Sequence, residues 1–263
     1  MGTSGFNRAP YLDKLRVCMD PTAQKIRDAL QAVSTLRQQH ASQPLLANAS
    51  ADVKRFQARR FRATYADLLQ SPRYKTAAAF FLNELYSDKD YAQRDQQFAR
   101  IANTIARLFP QAVVNTAAAL AEVHALTESL DDSMARQWLT EDTAGDDVTR
   151  YIRCWRVVAD RAARYRQLEV VLLLGQELNR LTRKPGLRTL LKMMRRPADA
   201  AGLSSLQHFL EAGFDAFAEM RGADGFLAVI KERETEWIGS LFDEPTVTCE
   251  TRLTQLLTFD QPE

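Results

Sequence analysis

The chain has 263 residues, 46% of them hydrophobic and 26% charged, a balance that excludes a disordered or fibrous protein. With only Gly 10 and Pro 9, it lacks the frequent turns that a many-stranded sandwich or barrel requires, and it lacks a Gly-rich phosphate cradle. A net charge of +2 commits the molecule as a whole neither to nucleic acid nor to an anionic surface.

The predicted elements are all helical. Asp20-Pro21 joins a cap to a proline at the first helical position, and Ile26, Leu30 and Val33 follow at helical spacing. Residues 43–50 read as a loop and 51–69 as a second helix, with Val53, Phe56, Phe61 and Tyr65 on one side. Ser71-Pro72 repeats the start signal ahead of an apolar run from Ala77 to Leu82. Asp90 has the spacing of an N-cap for a helix carrying Phe98, Ile101, Ala102 and Ile105. Pro110 opens another, with Val113, Ala117, Leu120, His124 and Thr127 on one stripe, and a shorter helix follows near 133–139.

The Thr-, Gly- and Asp-rich stretch 142–147 is the best interior loop and a candidate subdomain break. From Val148 to about Leu181 there is no proline and only Gly175, so one helix of about 50 Å is expected there as the spine. Lys184-Pro185-Gly186 ends it. A short helix over 187–194, a connector through Gly202 and a two-helix hairpin across 222–225 come next, with Ala212-Gly213 permitting close approach. The last residues are β-prone at Thr246-Val-Thr and weakly helical at 252–257. The expectation is an all-α fold, a single elongated bundle of about ten helices organised around 148–181. Residues 1–19 would be an N-terminal extension, 20–243 the domain and 244–263 a C-terminal tail.

Charge is unevenly distributed. Residues 150–196 carry thirteen Lys or Arg against Asp160, Glu169 and Glu177, whereas four basic residues face twelve acidic ones after Ala201. The two regions either pack beside each other, or the basic one binds an anionic partner, nucleic acid included. Cys18, Cys154 and Cys249 are odd in number and far apart, a pattern suited to neither a disulfide framework nor a structural zinc site. The first residues lack the charged-then-apolar pattern of a signal peptide, and the longest aliphatic block, 170–174, is far shorter than a membrane span. A cytoplasmic protein, neither exported nor membrane-spanning, is expected.

The most distinctive string is Phe80-Phe-Leu-Asn-Glu-Leu-Tyr86, continued by Ser87-Asp-Lys-Asp90 and Gln93-Arg-Asp95. It resembles the signature of the bacterial FFLEELY-motif proteins. Arg196-Pro-Ala198, Ala201-Gly-Leu203, Leu206-Gln207 and Phe209-Leu-Glu211 extend that resemblance over roughly residues 50 to 245. Asn83 departs from it, standing where the name string has Glu. The resemblance implies an all-helical fold and supplies no mechanism.

Read physically, Phe80, Phe81 and Leu85 are core residues beside Tyr86, and Asp90 caps the next helix. Arg94 and Asp95 extend the apolar stripe of Phe98 inward, where charges must be paired. With Glu84 and Asp88 they form either an ion-pair network holding the turn or a ligand clamp. His124, with Glu128 one turn later, is half of the Glu-x-x-His arrangement of di-iron bundles, and is otherwise a hydrogen-bonded core histidine. On a wheel centred on Trp155, Arg166 and Glu169 fall inside the apolar stripe as a buried pair or the polar end of a pocket, while Arg153 and Arg164 fall opposite, in solvent.

No nucleophile elbow, P-loop or dinucleotide fingerprint occurs. The expected function is a non-enzymatic binding or regulatory module for a partner protein or a small anionic ligand. Arg94, Arg166, Glu84, Asp95 and Glu169 are its candidate contacts, and no cofactor is implied. The alternatives are a helical-bundle enzyme or metal protein using His124 and Glu128, and nucleic-acid binding through 150–196.

Overall fold

Helix starts follow local chemistry. Asp20 Oδ1 accepts the Thr22 and Ala23 amides at 2.8 and 3.1 Å ahead of Pro21, Asp146 accepts from Thr149 N at 2.8 Å, and Asp160 accepts from Ala163 N at 3.0 Å, each satisfying amides that lack an intrahelical partner. The computed structural model describes residues 20–84, 89, 91–141 and 146–258. Among them are thirteen helices and no strand, so the protein is all-α. They are α1 (Pro21–Ser42), α2 (Pro44–Thr64), α3 (Ala66–Gln70), α4 (Lys75–Glu84), α5 (Ala92–Leu108), α6 (Gln111–Thr140), α7 (Asp147–Val158), α8 (Arg161–Thr182), α9 (Leu187–Met193), α10 (Arg195–Ala200), α11 (Ser204–Glu219), α12 (Asp224–Asp243) and α13 (Thr246–Thr258).

Several expectations need correction. Residues 43–50 are not a loop: only Gln43 separates α1 from α2, because Pro44 is itself a good first helical residue. The stripe through His124 does not stop near Thr127 but continues to Thr140. The spine expected at 148–181 is two helices. Ala159 adopts a left-handed conformation (φ 49°, ψ 17°) and Asp160 caps the new start with its side chain, so the chain changes direction without glycine or proline. The organising helix is instead α6, whose 30 residues span about 45 Å and which packs on α1, α2, α7 and α8. The break at Ala159, the short α3 and α10, and α13 add four helices and the fusion of two expected ones into α6 removes one, which takes the number from about ten to thirteen. Residues 246–258 form no loose tail; Cys249 and Leu253 of α13 are fully buried in the main core. Leu85, Tyr86, Asp88 and Asp90, the 1–19 extension and residues 142–145 of the candidate break lie outside the described residues.

Burial divides into two apolar clusters. The larger gathers residues of α2, α3, α4, α6, α7, α8, α11, α12 and α13, with Phe81 meeting Phe226 at 5.4 Å and Phe217 at 6.2 Å between ring centres. The smaller is made by α1, α5 and the first half of α6 with Leu206. Phe80 lies over α11, where a Cβ on Gly213 would stand 3.0 Å from its Cζ. The absence of that Cβ lets α4 and α11 approach closely.

Candidate functional site

Where the two clusters meet, the interior turns polar around a cavity of about 120 Å³. Its apolar walls come from both sides, Leu30, Phe98 and Leu206 from the smaller cluster and Phe81, Leu168 and Ile230 from the larger. Its polar groups are Lys54, Gln57 and Arg60 from α2, Glu84 from α4, Arg94 and Asp95 from α5, and His124, Thr127, Glu128 and Asp131 from α6. Tyr151 and Trp155 from α7, Arg164 and Gln167 from α8 and Glu234 from α12 complete it.

At one end Asp95 is a junction. It accepts from Arg37 Nη2 at 2.6 Å, lies 2.8 Å from His124 Nε2 and meets Arg94 Nε at 3.4 Å. Burial pushes its carboxyl up, but His124, Arg94 and Arg37 outweigh burial and hold it below the usual carboxylate range. An ionised carboxylate only accepts, so the imidazole donates through Nε2. Arg94 is clamped between the rings of Tyr91 and Phe209, its Cζ 4.1 and 4.6 Å from their centres. Its Nη1 stands 3.7 Å from Glu84, which is an ion pair and not a hydrogen bond.

At the other end Arg60 forks onto Glu234 with bonds of 3.2 and 2.9 Å, and Tyr65 donates to the same carboxylate at 2.9 Å. Lys54 donates to both oxygens of Glu128 at 2.9 Å. Asp131 is buried and accepts from Gln57 Nε2 at 3.1 Å; burial pushes its carboxyl up, only in part countered by Lys54 and Arg164. Arg164, 6% exposed, lies with its guanidinium 4.1 Å from the ring centre of Trp155, a cation–π contact strengthened by desolvation. Three polar atoms on the walls are buried with no hydrogen-bond partner among the described residues: the Tyr151 hydroxyl, Trp155 Nε1 and Arg94 Nη1. All three are donors.

Arg94, Asp95 and Glu84 are thus brought to one cavity, together with His124 and Glu128. Arg166 and Glu169 are not. They form an exposed i,i+3 pair at 2.9 Å, 58% and 60% exposed, and Arg164 takes the interior place. The reason is the break at Ala159, which resets the helical phase so that a wheel carried through from Trp155 assigns α8 the wrong face. His124 and Glu128 do not converge on a common point: one serves Asp95 and the other Lys54. Among the described residues no group of three or more His, Cys, Asp and Glu side chains is placed to hold a metal ion.

The sequence reading missed Lys54, Gln57, Arg60, Asp131, Tyr151, Trp155, Arg164 and Glu234 as cavity residues. For Asp131 a signal existed, since it lies seven residues beyond His124 and therefore on the same stripe. For Arg164 there was none without the break.

No curated protein and no solved structure matches the chain. The one family match leaves out Leu30 and covers every other residue of the cavity wall. It spans residues 36–247, and the chain belongs to the family described as domain of unknown function DUF8198.

Proposed function

We propose that the protein binds a small molecule bearing a carboxylate or phosphate in the cavity between its two apolar clusters. The observation that carries this reading is the set of buried donors on the walls without a hydrogen-bond partner among the described residues, Tyr151 OH, Trp155 Nε1 and Arg94 Nη1. Leaving such groups unsatisfied costs about 1–3 kcal/mol each, and acceptor oxygens are what they lack. Arg164, held on Trp155, adds a cation suited to a planar anion.

Size and polarity narrow the guest. A cavity of about 120 Å³ is smaller than the 150 Å³ or so that accommodates benzene in an engineered apolar core, so a guest no larger than benzene, such as a short-chain carboxylate, fits. Phe81, Phe98, Leu168, Phe209 and Ile230 favour an apolar body behind the anionic head. Binding is favoured over catalysis because Asp95, Glu128 and Glu234 are each tied to a cation, which holds them in place as orienting groups.

The test is native mass spectrometry of the purified chain beside its denatured spectrum, followed by thermal unfolding with butyrate or inorganic phosphate. A mass excess lost on denaturation, or a rise in Tm with either probe, supports the reading when Arg164→Met or Tyr151→Phe removes it. A clean native mass together with no shift from either probe refutes it.

A further inference from the structure

Between Glu177 and Asp199 the sequence places seven basic residues and no acidic one, and α9 sits in the middle of this stretch. Four of its seven residues, Leu187, Leu190, Leu191 and Met193, are apolar, yet none of α9 is buried. Leu190, Met193 and the adjoining Met194 are 48%, 69% and 44% exposed, at the i, i+3, i+4 spacing that puts them on one face. A seven-residue helix is not stable in water on its own, and little of this one is covered by the rest of the fold.

The charges around it are only partly matched within the chain. Arg180, Arg188 and Arg195 pair with Glu177, Asp215 and Glu211. Arg183, Lys184 and Arg196 are exposed and make no ion pair with a described residue, whereas Lys192, on the opposite side of α9 from Leu190, helps hold the Glu211 carboxyl down. An exposed apolar ridge edged by uncompensated cations matches the boundary between lipid headgroups and acyl chains. No aromatic residue occurs between Tyr165 and Phe209, so the stacking platforms of single-stranded nucleic-acid binders are missing here. Unbranched methionines adapt to a fluid apolar phase.

We infer that this face docks on an anionic phospholipid surface. Leu190, Met193 and Met194 enter the headgroup–acyl boundary, and Arg183, Lys184 and Arg196 meet the phosphates. The inference is independent of the cavity, because none of these residues lines it.

Cosedimentation of the full chain with phosphatidylcholine vesicles, with and without phosphatidylserine, tests it. Binding is expected only to the phosphatidylserine vesicles and is expected to fall with salt. Arg183→Gln, Lys184→Gln and Arg196→Gln should each weaken binding about fivefold. Leu190→Ser with Met193→Ser should weaken it while preserving its salt dependence. All these side chains are exposed, and circular dichroism checks that the helices persist; should the serine variant unfold, the glutamine series and the salt series decide. Equal binding to neutral vesicles, no binding to either, insensitivity to the glutamine substitutions, or capture of single-stranded RNA in place of vesicles would overturn the inference.

Discussion

Ala159→Gly is expected to stabilise the protein, although glycine lowers helix stability nearly everywhere else. Ala159 sits at φ 49°, ψ 17°, a conformation that costs an L-residue about 1–2 kcal/mol and glycine almost nothing. Against that gain stands the greater freedom of glycine in the unfolded chain, about 0.4–1 kcal/mol. The net is about 0.5–1 kcal/mol in favour of the variant, or roughly 1–4 °C in Tm for a chain of this size. Urea unfolding followed by fluorescence of Trp138, Trp155 and Trp237, with calorimetry for Tm, measures it. The alternative has the opposite sign: were 148–181 one unbroken helix, glycine in its interior would cost about 1 kcal/mol. A lower urea midpoint at unchanged m-value would therefore refute the break at Ala159, and with it the assignment of Arg164 to the interior.

Three further outcomes are expected. Glu234→Gln removes the charge onto which the buried Arg60 forks and should cost up to about 3–5 kcal/mol, read from the same urea titration. Asp131 has a raised folded pKa, so the folded state keeps a proton that the unfolded chain releases, and stability is lost as pH rises from the ordinary carboxylate value through the folded one. Asp131→Asn should therefore gain stability relative to wild type near pH 7, with the gain shrinking toward pH 4; a constant difference across that range would contradict it. The Cys154 thiol is pushed up to about 12 by burial, so roughly one molecule in ten thousand carries the thiolate at pH 8. Iodoacetamide should leave Cys154 unmodified in the folded protein and label it in urea, as peptide mass spectrometry would report.

What was legible in the sequence was whatever local chemistry marks. Pro21 and Pro110 stand at helix starts, Pro185-Gly186 stands where α8 gives way to α9, and the periodicity of Phe98 and Ala102 found the buried face of α5, whereas the start at Pro44 was hidden in a stretch that reads as a loop. Arg94 and Asp95 were readable because they lie on a stripe that runs without interruption. Arg164 was not, because the turn at Ala159 uses an alanine in a conformation that its side chain disfavours, and nothing in the string Val157-Val-Ala-Asp160 announces it. Phase information does not survive such a turn: two residues separate Arg164 from Arg166, and they exchanged places between solvent and interior. The cavity itself was illegible for another reason. Its walls come from nine helices scattered from α1 to α12, and no spacing within one helix reports which distant side chains will face it.

The division of the interior into two clusters bears on how a guest would reach the cavity. The smaller cluster has eight buried members and the larger thirty-two, so the two sides of the cavity differ greatly in the work needed to part them. Parting α1 and α5 from α6 divides only this smaller cluster and breaks polar links such as Asp95 to His124 and His40 to Asp132, which water can replace, while Arg37 to Asp95 stays within the moving pair. Partial undocking of α1 and α5 is then the low-energy excursion of the fold, and the cavity is exposed by the same movement. Amide hydrogen exchange should be faster in α1 and α5 than in α7 and α12, and a guest held between the clusters should slow it by joining the side that opens to the side that stays.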